Sequence, residues 1–214
     1  MKRNDKRIIK ELKMVGLRHF ELLSLDEEQA LGFGEETFFD YLIDCLPYRI
    51  KIANEHYHEE TRKYQIPRTS FNDLEDFLYR IDNFSVLIRK WYTILMKLAY
   101  YFKLDSVYLY CDGAMDNKEL LKAAGEEGVV LRYRPIEVMS RLEEFVKSMN
   151  EEFRHTGFTF DFENGMRITL DREDFFMGVN FRKPGKVETK EMELIQKLIE
   201  SEGLFFHETG YVEK

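Results

Sequence analysis

The stretch Phe158-Thr159-Phe160-Asp161-Phe162-Glu163-Asn164-Gly165-Met166-Arg167-Ile168-Thr169-Leu170 decides the architecture. Phe158, Phe160 and Phe162 alternate with polar residues, and so do Met166, Ile168 and Leu170. Period-two alternation puts each triplet on one face of a strand. A two-residue Asn164-Gly165 turn would pair Phe160 with Thr169 and send the two apolar faces to opposite sides. A three-residue loop, Glu163-Asn164-Gly165, pairs 162 with 166, 160 with 168 and 158 with 170. The shared apolar face selects the longer loop, with Gly165 as its left-handed residue. A four-residue turn from Asp171 to Asp174 then pairs Ile168 with Met177 and Met166 with Val179. The expectation is a three-stranded antiparallel meander with one apolar face. Helix 189–202 covers that face through Met192, Ile195, Leu198 and Ile199, Gly203 stops it, and Leu204-Phe205-Phe206 can return as a strand.

Working upstream, Ser106 to Cys111 is apolar on both sides, as suits a central strand. The loop Asp112-Gly113-Ala114-Met115 leads to Asp116, an N-cap with Glu119 as its capping-box partner, and a short helix to Ala124. After Gly125 and Gly128, Val129 to Arg134 reads as a strand. Pro135 then opens a helix that keeps phase through Val138 or Met139, Leu142, Met149 and Phe153. This strand–helix–strand–helix order predicts a parallel pair with right-handed crossovers.

The first half is predominantly helical. Ile8, Ile9 and Leu12 mark a basic amphipathic helix, followed by a strand-like run from Leu17 to Leu25 and a polar segment from Asp26 to Glu36. Phe38, Phe39, Leu42, Ile43 and Leu46 recur at helical spacing up to Pro47, with a resumption expected as far as Tyr64. Ser70 then caps a long helix whose apolar positions run through Trp91, Leu95 and Leu98 to about Phe102. Its tyrosine-rich end (Tyr92, Tyr100, Tyr101) is expected as core beneath the sheet, with an interaction hot spot as the alternative. The fold class is thus α/β with mixed α+β character. A mainly helical region, 1–103, packs on a mixed-sheet region, 104–214, in one compact unit.

Charge narrows the function classes. The 214 residues carry 32 Lys+Arg against 40 Asp+Glu, a net charge of −8, which disfavours general binding to nucleic acid. Residues 26–60 hold ten acidic side chains against two basic, equal to the whole chain's excess. Residues 1–13 are the opposite pole, with six basic against two acidic. Such asymmetry steers association with a basic protein surface or a second copy of the chain. No signal segment or membrane span is read: the apolar run from Trp91 to Phe102 is broken by Lys97. Cys45 and Cys111 form no CxxC pair and read as buried free thiols, so a cytoplasmic setting is expected.

Few residues suggest chemistry. Asp112, Gly113 and Asp116 sit where open α/β sheets bind ligands, at the carboxyl end of a buried strand, and Arg132 and Arg134 stud the next strand. Cap and turn chemistry explains the aspartates equally well. His56 and His58 would lie about 200° apart on a helix and could not chelate one ion. The scattered histidines give no zinc site. No GxSxG, GxGxxG or GxxxxGKS/T occurs, and His155 stands alone in a loop. No catalytic residue, cofactor or metal is therefore expected. The leading expectation is a non-catalytic binding or accessory protein of immunity, antitoxin or phage type, using an acidic surface that includes Glu27, Glu28, Glu35, Glu36 and Asp40. The alternative is a small-molecule or nucleotide-binding protein, extending to a metal-dependent enzyme, centred on Asp112 and Asp116.

Overall fold

A computed structural model of the chain describes residues 3–14, 17–33, 39–44, 57–58, 63–64, 84–111, 122–124, 129–140, 156–171, 176–181 and 189–208. The elements are α1 (Asp5–Met14), β1 (Phe20–Leu22), α2 (Leu25–Ala30), β2 (Tyr41–Asp44), β3 (Tyr57–His58), β4 (Lys63–Tyr64) and α3 (Phe84–Tyr101). They continue as β5 (Leu104–Cys111), β6 (Val129–Tyr133), α4 (Pro135–Met139), β7 (Thr156–Phe162), β8 (Met166–Asp171), β9 (Phe176–Phe181), α5 (Thr189–Glu200) and β10 (Phe205–Glu208). The protein is of mixed α and β class. Eight strands form one sheet in the order β1-β6-β5-β7-β8-β9-β2-β10, with the helical elements laid against it.

One row of side chains crosses all eight strands: Leu22, Leu131, Leu109, Phe158, Leu170, Met177, Ile43 and Phe206 stand opposite one another in turn. Directly opposed residues share a face, so the row is a continuous apolar stripe. Helices cover it. Ile8 and Leu12 of α1, Trp91, Ile94, Leu95 and Leu98 of α3, and Ile195 and Ile199 of α5 are buried with the row in one cluster. Their spacing of three, four and seven residues is the amphipathic pattern that buries one side of a helix. Lys97 on α3 joins this layer to the end of α5, bonding Ser201 Oγ at 2.8 Å and Glu202 Oε1 at 2.5 Å.

The opposite face has its own, smaller cover. Leu23, Tyr108 and Val130 form a second cluster, with Leu31, Phe33 and Tyr110 packed on it. Ser24 caps α2 in a complete capping box with Glu27, so the expected strand-like run Leu17 to Leu25 is strand only at Phe20–Leu22 and gives way to helix from Leu25. Arg167 reaches across from β8, binding the Leu31 carbonyl at 2.7 Å and the buried Asp161 at 2.7 and 3.1 Å, and lies 5.3 Å from the Phe33 ring centre.

The β7–β8 hairpin matches the expected pairing, with Phe158 opposite Leu170, Phe160 opposite Ile168 and Gly165 at φ 88°. Helix α5, the left-handed Gly203 (φ 68°) and the returning strand β10 also lie where the sequence places them. Four further expectations change. The sheet is antiparallel at every described pairing, including β5 with β6, where Val129 stands beside Cys111. The end of β5 and the start of β6 therefore lie side by side, which a parallel pair does not allow. The β8–β9 register is two residues from the expected one: Ile168 faces Val179 and Met166 faces Phe181. A shift of two preserves the apolar face, so alternation cannot distinguish the registers.

The expected helix over 38–46 contains strand β2, wedged between β9 and β10. Leu42 and Ile43 are both buried although they point to opposite faces, a pattern that helical spacing imitates over so short a run. The expected helical resumption is extended at its described positions, where Tyr57 pairs with Tyr64 and His58 with Lys63. The long helix is observed over 84–101, and its expected first turns, 70–83, lie outside the described residues.

Phe39 lies over Gly178 of β9, where an added Cβ would collide with its ring. Gly178→Ala should lower stability by about 1–3 kcal/mol by overpacking. At Gly157 an added Cβ meets only the Leu170 carbonyl oxygen at 3.8 Å, so Gly157→Ala serves as the control. Equal urea midpoints for the two variants would contradict the placement of Phe39.

Candidate functional site

Just before the edge strand β1 stands His19, the one non-glycine residue at positive φ (59°) among those described. Beyond it, Glu21 stands opposite Arg132 of β6. Arg132 gives both its Nε and Nη2 protons to Glu21 Oε2, at 2.9 and 2.6 Å. Two residues further along, Arg134 precedes α4, with Pro135 supplying the fixed φ that opens the helix. Arg134 bonds Glu137 through Nε at 3.2 Å and also through Nη2. The Arg134 guanidinium holds the Glu137 carboxyl below the usual glutamate value, with His19 adding to the effect. These groups, with Ser106 of β5, line an open depression of about 490 Å³.

Arg132 and Arg134 line one depression together with His19, Glu21 and Glu137. Glu137, three residues after Arg134, is a local signal. Glu21 becomes visible only through the β1–β6 pairing. Asp112, Gly113 and Asp116 lie outside the described residues, as do His155, Cys45 and the basic turn Arg182 to Lys186. Among the described residues, no group of three or more His, Cys, Asp or Glu side chains could hold a metal ion.

The acidic residues expected to meet a partner have separate fates. Glu28 is 7% exposed. Its carboxylate accepts from Arg3 Nη1 at 2.8 Å and from the Val130 N–H at 3.2 Å, while Arg3 Nη2 reaches the Leu23 carbonyl at 2.5 Å. Glu27 is exposed but accepts from the Ser24 backbone N–H at 2.9 Å and hydroxyl at 2.8 Å. Asp40, also exposed, accepts from the Phe181 N–H at 2.9 Å and so extends the edge of the β2–β9 ladder. Glu35 and Glu36 lie outside the described residues.

A second surface is apolar. The aromatic end of α3 divides: Trp91 and Phe102 are buried, whereas Tyr100 is 84% and Tyr101 55% exposed, their rings edge to face. Val86 (43%) and Met96 (37%) continue the exposed stripe along the same helix. The positions 86, 89, 93, 96 and 100 step by three or four residues, which makes one face opposite the buried one. Arg89 lies on it, and α3 has no acidic residue. No helix among the described residues is long and apolar enough to cross a membrane. Comparison of the chain with protein-family models, with curated proteins and with solved structures finds no match in any of the three.

The capping box gives a pH signature. The backbone N–H and hydroxyl of Ser24 hold the Glu27 carboxyl below its ordinary 4.5. A depressed folded-state value contributes stability above the unfolded pKa and loses it as pH falls through the folded value. Glu27→Gln should thus melt below the wild type at neutral pH and converge with it in acid. A melting difference that stays constant with pH would contradict the bond.

Proposed function

We propose that this is a non-catalytic binding protein, and that its partner docks on the outward face of α3. The observation that carries this reading is the exposure of Tyr100, Met96 and Val86 along one face of α3, with the exposed Tyr101 ring against Tyr100 at its end, on a helix without a carboxylate. Tyrosine supplies large contact area at low entropic cost and dominates many protein interfaces. The stripe's spacing fits an amphipathic helix laid alongside, in the helix-in-groove mode of recognition. Charge selects the flanks of that helix. Arg89 is exposed on the stripe and no carboxylate stands on α3, so acidic flanks complement it. The chain's net −8 opposes such a partner only at long range, because charges beyond roughly 8 Å are screened at physiological salt. The acidic N-terminal segment remains a proposed steering surface for basic proteins. Its share is reduced by the internal engagement of Glu28.

The test uses two 18-residue amphipathic helical peptides with the same leucine seam, one flanked by Glu and one by Lys, titrated by fluorescence anisotropy. The Glu-flanked peptide should bind, and Tyr100→Ala should weaken it about 10-fold or more. As an exposed position, Tyr100→Ala should change stability by no more than about 0.5 kcal/mol. Binding of neither peptide, equal binding of both, or indifference to Tyr100→Ala would overturn the proposal.

A further inference from the structure

We propose that the depression between β1, β6 and α4 is a binding site for a small phosphomonoester. Arg132 stands on β6 and Arg134, the extended residue just after it, caps α4; both line the same depression. Each turns its Nε–Nη2 edge onto one carboxylate oxygen, of Glu21 and of Glu137 respectively. That contact fixes the plane of each guanidinium. Neither Nη1 donates to a described residue, which leaves donor capacity on two guanidiniums that line one depression. The imidazole of His19, set at the rim by the left-handed backbone, is a third group facing it.

A flat carboxylate is matched by a single guanidinium fork. A tetrahedral oxyanion can accept from several directions at once, which suits two separate arginines and a histidine. The carboxylates already present do not rule out an anion. The Arg132–Glu21 pair is solvent-exposed, with Glu21 at 60%, and exposed pairs of this kind are held weakly. A phosphate oxygen can take the place of Glu21 while Glu137, at 18%, keeps Arg134 oriented. The volume of about 490 Å³ lies within the range of small-ligand sites, leaving room for a small organic group beside the phosphate.

The test titrates the full chain with glycerol 3-phosphate, with inorganic phosphate and with acetate, followed by amide shifts in two-dimensional NMR. Both phosphates should produce saturable shifts at His19, Arg132 and Arg134 at millimolar concentration, and acetate should not. Arg132→Ala and Arg134→Ala should each weaken binding about 10-fold or more. Glu21→Gln, which removes the competing carboxylate, should instead tighten it. A site serving only to hold the sheet edge would show no such opposition of sign. Shifts matched by acetate, shifts away from these residues, or a Glu21→Gln variant that binds no better than wild type would each overturn the proposal.

Discussion

The apolar row shared by eight antiparallel strands is the constraint on which the rest of the structure depends. Leu22, Leu131, Leu109, Phe158, Leu170, Met177, Ile43 and Phe206 come from every part of the chain, and each meets the next only at one register. A one-residue slip anywhere would turn a strand's apolar side chains to the other face. The helical layer follows from this row, because α1, α3 and α5 bury their apolar sides on it. Once those sides are committed, the outward face of α3 and its tyrosines are left to solvent.

The second face is governed by polar groups. Arg167 ties Asp161 to the Leu31 carbonyl, and Arg3 ties Glu28 to Leu23, so two buried ion pairs fasten the α2 segment over the sheet. Burial pushes the Asp161 carboxyl up, and its bonds to Arg167 oppose that shift. A buried pair of this kind adds little net stability, but removing one member leaves a desolvated charge. These networks define where the α2 segment sits and where its cover ends. The depression at Arg132 and Arg134 opens beyond that end.

What could be read from the sequence was local or fixed by parity. The Glu163-Asn164-Gly165 loop, helix α5 and its Gly203 stop each rest on neighbours within a few positions. Strand β2 does not. Phe38, Phe39, Leu42 and Ile43 satisfy a helical spacing, and only pairing with β9 and β10, far along the chain, makes the segment a central strand. The β5–β6 direction was hidden for a related reason: strand–helix–strand order permits a crossover without requiring one. At the site, the two arginines were legible as cations beside a strand end, whereas the partner of Arg132 lies 111 positions away. Glu28 was legible only as charge, since nothing local distinguishes a buried, paired glutamate from an exposed one.

The protein turns an uncovered aromatic face of α3 outward while the same helix buries its other side in the core. Hydroxyl-radical footprinting of the intact free chain tests it most directly. Tyr100 and Tyr101 should oxidise readily and Trp91 should be protected, because their exposures are 84%, 55% and 2%. A Tyr100 as protected as Trp91 would mean that this face is already covered, which would contradict the account.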